Sequence, residues 1–256
     1  FASKAKVIHV DIDPTSIAKL VVPDYPIVGD LKITVKAMIE AIENGENEFN
    51  DYSNWVELLR DYREKEPLRY IDSNEVIKPQ WPIQRVGQLL GAKAIISTDV
   101  GQHQMWTAQF YPFSYPRQWI TSGGLGTMGF GLPAAMGVAR ALKGTDKVSI
   151  NFTGDGSILM NIQELMTCVE YELPVINIIL NNNYLGMVRQ WQTMFYGNRL
   201  SETDLSAQPN FKMLVEAFGG LGYRVTTKEE FDIALKDAVE KKRPAMIEVV
   251  VARHEE

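Results

Sequence analysis

The sequence has little cysteine, no long apolar segment and no excess of positive charge, and each shortage excludes a class of protein. One cysteine among 256 residues rules out a disulfide framework and fits a reducing compartment. No segment approaches the roughly 20 apolar residues of a membrane-spanning helix, and no signal or transit peptide is recognisable. The net charge of −6 argues against nucleic acid or an anionic membrane as partner, because both bind basic surfaces. We therefore expect a soluble, cytoplasmic protein.

The remaining composition is that of an ordinary globular chain. Cys168 lies in an apolar helical pattern, which predicts a buried, unreactive thiol rather than a nucleophile. With 45% hydrophobic and 23% charged residues, the chain is long enough for one complete core and part of another. We predict the end of one α/β domain at 1–45, a polar linker with prolines at 46–81, and a second α/β domain at 82–256.

The first of these regions begins with a strand pattern from Val7 to Asp13, so close to the first residue that we expect a truncated domain. Asp30 is predicted to cap a helix that runs to about Ala41. The periodicity of that helix predicts that its apolar side chains face inward, at Ile33, Ala37, Ile39, Ala41 and Ile42.

A βαβ unit dominates the last region. Val148 to Thr153 and Val175 to Leu180 are predicted strands separated by a helical pattern. Both strands are too apolar for an exposed sheet, and a crossover of this length makes them parallel neighbours. Residues that follow the two strands therefore meet at one edge of the sheet, where open α/β sheets bind ligands.

The residues at that edge have the chemistry of a magnesium site. Asp155 and Asn182 follow the two strands, and Gly154 and Gly156 allow the backbone to approach a ligand closely. Ser157 is predicted to cap the next helix, whose free N–H groups favour phosphate. A carboxylate, an amide oxygen and a phosphate suit Mg²⁺. The sequence thus predicts a Mg²⁺-diphosphate site, with an ordinary Gly-Asp-Gly turn as the alternative.

A glycine-rich segment lies upstream, with five glycines in the ten residues from Ser122 to Gly131. It leads into a helix predicted from Leu132 to Leu142, and we expect it to form a wall against a flat ligand, with a plain turn as the alternative. It lacks the lysine of a P-loop, and no strand is predicted directly before it, unlike a Rossmann fingerprint. A polar loop is predicted from Gly101 to Trp106. The predicted fold class is α/β, a doubly wound and mainly parallel sheet flanked by helices, preceded by the tail of another α/β domain.

Several segments also carry a family resemblance. Gly154-Asp155-Gly156 followed by Asn181-Asn182 resembles the signature of thiamine diphosphate (ThDP) enzymes. The segments from Gly101 to Trp106, from Ser122 to Ala135, and from Asn182 to Val188 with Gln190-Trp191 closely resemble the large, catalytic subunit of acetohydroxyacid synthase (acetolactate synthase). The resemblance covers nearly the whole chain and is weakest in the linker.

The resemblance implies roles for individual residues. The side chains of Asp155 and Asn182 and the backbone oxygen of Tyr184 would bind Mg²⁺. The Gly126 carbonyl would meet the aminopyrimidine, and Met128 would wedge between the two rings of the cofactor, unless Met128 is simply core. His103 would hold the diphosphate or be a satisfied loop histidine, and we do not expect it to act as an acid or base. The residues implied to bind cofactor are Gln102, His103, Gly126, Thr127, Met128, Asp155, Gly156, Ser157, Asn182, Tyr184, Leu185, Gly186 and Met187.

The resemblance also implies a substrate pocket and a second cofactor. Met187, Val188 and Trp191 would line the acceptor pocket, where the tryptophan favours 2-ketobutyrate over a second pyruvate and points to the biosynthetic enzyme; a core position is the alternative for Trp191. Asp11 and Asp30 are candidates to lie beside FAD in the last part of a middle domain, unless they are an ordinary strand end and helix cap.

The implied reaction decarboxylates pyruvate and joins the two-carbon unit to pyruvate or 2-ketobutyrate, in branched-chain amino acid biosynthesis. The family forms homodimers or homotetramers through its ThDP domains, and a regulatory subunit is possible. Its activating glutamate lies in an N-terminal domain and its closing tail lies beyond Glu256, so we expect no catalytic residue in this chain and no activity of the chain alone. The alternatives are a catabolic acetolactate synthase, pyruvate oxidase or glyoxylate carboligase, or a cofactor-binding module or split subunit without turnover.

Overall fold

The computed structural model describes residues 3–45 and 50–255, which form two compact units. The units are Phe1–Pro67 and Leu68–Glu256, so the division falls inside the predicted linker of 46–81. No helix among the described residues is long and apolar enough to cross a membrane.

The first unit contains a pair of parallel strands, β1 (Ile8–Asp11) and β2 (Tyr25–Val28), and two helices, α1 (Leu31–Glu43) and α2 (Ser53–Lys65). The strand predicted from Val7 to Asp13 is present in shortened form. Asp30 caps α1 as predicted, because its Oδ1 accepts a hydrogen bond of 3.1 Å from the backbone nitrogen of Ile33.

The prediction that the apolar residues of α1 face inward is wrong. Ile33, Ile39 and Ile42 are 71%, 49% and 52% exposed, and Ala37 and Ala41 are exposed as well. Helical periodicity identifies which side of a helix is apolar, but it carries no information on whether another layer covers that side. Among the described residues of this unit, those of α1 include none that is buried.

The second unit alternates helices with strands of one six-stranded sheet. Its elements are α3 Gln80–Leu90, β3 Ala94–Thr98, α4 Gln102–Phe110, β4 Trp119–Thr121, α5 Gly131–Ala141, β5 Val148–Gly154, α6 Asp155–Ile158, α7 Glu164–Glu170, β6 Val175–Asn181, α8 Gly186–Phe195, α9 Phe211–Ala217, β7 Leu221–Val225, α10 Lys228–Lys241 and β8 Ala245–Val250. The strand order is β4-β3-β5-β6-β8-β7, and every neighbouring pair is parallel. The predicted fold class is therefore confirmed, including the pairing of β5 with β6.

Helices cover both faces of this sheet, which explains why its central strands are apolar throughout. On one face, strand residues such as Ile178 and Ile247 pack against α3, α4 and α10. On the other face, Ile179 and Met246 pack against α5, α7 and α9. Cys168 belongs to this second cluster, where burial raises the pKa of its thiol to about 12, so the predicted buried, unreactive cysteine is confirmed.

Two local predictions near the site are wrong. The predicted polar loop from Gly101 to Trp106 is helical, because α4 begins at Gln102 and buries Trp106 and Thr107 in the unit. The glycine-rich segment does follow a strand directly, since β4 ends at Thr121. This strand is only three residues long, too short for a periodic pattern to be visible in the sequence.

The connections of the sheet reverse direction between β3 and β5. The chain leaves β3 toward β4 on one side and leaves β5 toward β6 on the other, which makes the carboxyl ends of β3 and β5 a switch point. Ligands of open α/β sheets bind in the crevice outside such a point. The fold thus indicates a ligand site at the same edge of the sheet that the sequence predicted.

Candidate functional site

A cavity of about 50 Å³ lies at this edge, outside the carboxyl ends of β3, β5 and β6. That volume suits an ion with a water molecule, so a diphosphate requires the lining side chains to move apart. The N-termini of α4, α6 and α8 all reach the cavity, and their free N–H groups favour an anion there. The lining residues are Gly101, Gln102, His103, Trp106, Met128, Gly154, Asp155, Gly156, Ser157, Leu180, Asn182, Tyr184, Leu185, Gly186, Met187 and Val188.

Asp155 is the one carboxylate of that lining, and it is almost completely buried. Burial raises its pKa from 3.8 to about 6, although hydrogen bonds from Gln208 and from backbone N–H groups oppose the shift. A buried carboxylate is costly unless an opposite charge or donors compensate it. A divalent cation at this position would supply that compensation.

Asn182 lies beside it, directly after β6. Its Oδ1 accepts a hydrogen bond of 3.1 Å from the backbone nitrogen of Tyr184, and its Nδ2 donates to Oε1 of Gln102 over 3.4 Å. These two bonds fix the orientation of the amide, with its oxygen on the side of the 182–184 backbone. Gln102 in turn donates to the backbone oxygen of Glu255, 3.1 Å away.

His103 is buried in α4 and contributes a free nitrogen to the cavity lining. Burial lowers its pKa to about 3, so the ring is neutral near pH 7 and unsuited to acid or base catalysis, as predicted. Its Nε2 is buried without a hydrogen-bond partner among the described residues. Buried polar atoms rarely remain unpaired, so this nitrogen is available to a bound ligand.

Met128 and the glycines give the cavity its narrow shape. A Cβ on Gly156 would lie 2.7 Å from Cδ2 of Leu185 and 4.0 Å from Cε of Met128, so a side chain here would overlap Leu185. Met128 lines the cavity, whereas Gly126 and Thr127 lie exposed on the segment that leads to it, outside the lining.

Two sequence expectations need correction. Ser157 does not cap a helix, because the chain turns into the short helix α6 at Asp155 and Gly154 occupies the capping position. Its hydroxyl donates to the backbone oxygen of Val100 over 3.1 Å. Trp191 is 56% exposed on α8, which contradicts the core alternative for this residue, and it lies outside the cavity lining.

The structure adds residues that the sequence did not single out. Gln208, from the loop before α9, donates a hydrogen bond to Oδ2 of Asp155. Asp99, after β3, accepts from the backbone nitrogen of Gly131 at 2.7 Å and from the hydroxyl of Thr153 at 2.6 Å. Asp99 thereby ties the start of α5 to the end of β3 beside the cavity. A carboxylate directly after a predicted strand is a pattern from which the sequence could have identified this residue. The sequence from 183 to 208 contains no comparable pattern that would have identified Gln208.

Asp11 and Asp30 lie in the first unit. Oδ1 of Asp11 accepts from the backbone nitrogen of Asp13 at 2.8 Å, and Asp30 caps α1. Both therefore have the ordinary local roles that were their alternatives, and their place beside FAD stays a prediction.

The second unit offers the donors that a Mg²⁺-diphosphate ligand requires. It combines a buried carboxylate, an oriented amide, an unpartnered ring nitrogen and three helix N-termini around one cavity. Magnesium prefers such hard oxygen ligands and completes its coordination with phosphate and water.

Gly186, the first residue of α8, has no room for a side chain. A Cβ there would lie 2.0 Å from Oε1 of Gln102 and 3.1 Å from Nδ2 of Asn182, two side chains that are more than 90% buried. We expect Gly186→Ala to displace both and to weaken ThDP binding in the presence of Mg²⁺ at least tenfold, measured by calorimetric titration. Gly137→Ala is a control at an exposed position of α5 outside the cavity lining, where nothing lies within 4 Å of the added Cβ, and equal affinities of both variants would contradict the expectation.

Comparison with known proteins is consistent with this geometry. Residues 99–249 match the family model described as thiamine pyrophosphate enzyme, C-terminal TPP binding domain. The chain is 46% identical over 245 residues to the acetolactate synthase isozyme 3 large subunit of Escherichia coli strain K12, which covers 95% of this chain and 42% of that protein. It is 47% identical to the acetolactate synthase large subunit of Buchnera aphidicola subsp. Schizaphis graminum, over 94% of this chain and 42% of that protein.

A plant protein is similar over the whole chain. Acetolactate synthase 3, chloroplastic, of Brassica napus is 41% identical over 100% of this chain and 40% of its own length. The chain thus spans about two fifths of the length of the curated relatives it matches.

Proposed function

We propose that this chain, which belongs to the thiamine pyrophosphate enzymes through their C-terminal TPP-binding domain, is the part of an acetolactate synthase that holds the cofactor diphosphate through Mg²⁺. The observation that supports the metal most directly is the buried carboxylate of Asp155 beside the oriented amide of Asn182, at the switch point of the sheet. ThDP and thiamine pyrophosphate are two names for the same cofactor.

The residues of the cavity divide into two roles in this proposal. Asp155 and Asn182 would bind Mg²⁺ with their side chains, and Tyr184 with its backbone oxygen. Phosphate oxygens would accept hydrogen bonds from the N–H groups at the start of α8, and His103 would lie against the diphosphate. The assignments extend to Gln102, Gly156, Ser157, Leu185, Gly186 and Met187.

The remaining site residues would orient the organic part of the cofactor. Met128, with its flexible thioether, would support the bent shape of the two rings, and Gly126 and Thr127 would contribute backbone atoms near the aminopyrimidine. When bound, the cofactor supplies the carbanion stabilisation that decarboxylation of a 2-keto acid requires. This chain would bind and orient it, and Val188 and Trp191 would face the second substrate.

The activity of the whole protein follows from the same proposal. It would decarboxylate pyruvate and condense the two-carbon unit with pyruvate or 2-ketobutyrate, with FAD bound in the middle domain that residues 1–45 would complete. Association through ThDP domains into a homodimer or homotetramer, a regulatory subunit, a cytoplasmic location and inactivity of this chain alone remain predictions.

The experiment is a calorimetric titration of ThDP into the full natural polypeptide that carries this sequence, with Mg²⁺ and again with a chelator. We expect binding that is at least tenfold tighter with Mg²⁺, together with acetolactate formation from pyruvate. Metal-independent binding would contradict the Mg²⁺ site. A colourless protein without flavin, or oxidation of pyruvate in place of condensation, would assign the chain to another branch of the family.

A further inference from the structure

A chain of hydrogen bonds reaches Asp155 from behind the cavity. It starts at Glu248, a residue of β8 that is 5% exposed and lies with its Oε2 3.5 Å from Nε of Arg224. Oε1 of Glu248 accepts from Nδ2 of Asn181 at 2.9 Å, and the same Nδ2 donates to Oε1 of Gln208 at 2.8 Å. Nε2 of Gln208 then donates to Oδ2 of Asp155.

The bonds of this chain fix the orientation of both amides. An ionised carboxylate only accepts, so Asn181 must turn its NH₂ group toward Glu248. The backbone nitrogen of Asn183 donates to Oδ1 of Asn181 over 3.0 Å, which requires the same orientation. Gln208 must then offer its oxygen to Asn181, and its NH₂ group is left for Asp155.

Gln208 lies on a loop that is itself tied to the metal-binding segment. Tyr184 and Asp204 form an antiparallel bridge, the backbone nitrogen of Leu185 donates to the oxygen of Thr203, and that of Leu205 donates to the oxygen of Asn183, both over 2.9 Å. The segment after Asn182 and the loop before α9 therefore form one hydrogen-bonded layer across the end of the sheet.

We infer that Gln208 is a positioning residue of the metal site, which holds the Asp155 carboxylate in one orientation while Asn181 and Glu248 hold Gln208. The inference rests on the proposed function, because it assumes that Asp155 binds Mg²⁺. Partners behind a metal ligand fix its direction, and their loss lowers metal affinity although they do not touch the metal.

The test is the Gln208→Met variant of the full natural polypeptide, with the affinity for Mg²⁺ measured by calorimetric titration at saturating ThDP. Methionine keeps the length of the side chain and removes both hydrogen bonds. We expect the affinity for Mg²⁺ to fall about tenfold or more. Gln208→Asn keeps the amide but is one methylene too short to reach both partners, so we expect a smaller loss.

Gln192→Ala is the matched control. Its amide ties the same loop, donating to the oxygen of Ser201 at 3.0 Å and accepting from its nitrogen at 3.2 Å, but it makes no hydrogen bond to Asp155. We expect this variant to bind Mg²⁺ within about twofold of the wild type. The thermal midpoint of each ligand-free variant shows separately whether folding is affected.

The outcomes separate the inference from the function. If the wild type requires Mg²⁺ for ThDP binding and Gln208→Met binds Mg²⁺ equally well or more tightly, Gln208 does not position Asp155 and only the inference is overturned. An equal loss in Gln192→Ala would assign the effect to the loop as a whole and would also overturn it. If the wild type binds ThDP without any dependence on Mg²⁺, the proposed function fails and the inference fails with it.

Discussion

Replacing Asp155 with asparagine is expected to abolish Mg²⁺-dependent ThDP binding and, at the same time, to stabilise the ligand-free protein at neutral pH. The binding loss, at least a hundredfold, follows from removing the only carboxylate among the described residues that line the cavity. The gain in stability follows from burial, which raises the pKa of Asp155 from 3.8 to about 6. At pH 7 the ionised carboxylate then costs on the order of 2–3 kcal/mol, since each pKa unit corresponds to about 1.4 kcal/mol. The asparagine carries no charge and still offers Gln208 an acceptor.

The sign of the pH dependence makes this expectation specific. Because the folded pKa is raised, the protonated carboxyl contributes its full stability below about pH 3.8, and this contribution is lost as the pH rises through about 6. The difference in unfolding free energy between Asp155→Asn and the wild type should therefore be small near pH 4 and grow up to pH 7. Chemical denaturation of both proteins at several pH values measures it, and the comparison cancels the other titrating groups.

Asp146→Asn serves as the control for this experiment. The side chain of Asp146 is 76% exposed and lies 3.5 Å from Lys93, so it is solvated in the folded state. We expect this variant to change neither the stability profile nor ThDP binding by a measurable amount. A stability gain of Asp155→Asn that does not depend on pH would contradict the role of the buried charge.

The sequence was informative where periodicity and topology determine position. The apolar runs of β5 and β6 require burial on both faces, and a helical crossover makes such strands parallel. Asp155 and Asn182 then had to meet at one edge, and both line the same cavity. Side-chain chemistry also marks two helix starts, because Asn210 and Thr227 each cap a helix by accepting from a backbone nitrogen.

The sequence was uninformative where a residue acts through a partner that is distant in the sequence. It was also uninformative where the exact first residue of a short helix determines the role of a side chain. Gln208 reaches Asp155 from a loop 53 positions away in the sequence, and no periodic pattern relates the two. Ser157 was assigned to a cap, but α6 begins at Asp155, so the capping position falls at Gly154, three residues before the predicted one. The segment that forms the start of α4 was predicted as a loop because it is polar. The structure shows the reason for the helix, because Trp106 packs into the hydrophobic core beside the sheet.

Gly131→Ala and Gly137→Ala, two substitutions in the same helix, are expected to change stability in opposite directions. At the first residue of α5, a Cβ on Gly131 would lie 2.7 Å from the backbone nitrogen of Asp99 and 2.4 Å from Oδ1 of Asn151. The backbone of Asp99 cannot move without separating α5 from β3, and the side chain of Asn151 is buried in β5, so we expect a loss of about 3 kcal/mol or more, with weaker ThDP binding. Gly137 is exposed within α5, and nothing lies within 4 Å of its added Cβ, so alanine there should stabilise by about 0.5–1 kcal/mol. Urea denaturation of both variants measures the pair. Similar midpoints would mean that Asp99 does not clamp the start of α5 to the edge of the sheet where the cofactor is proposed to bind.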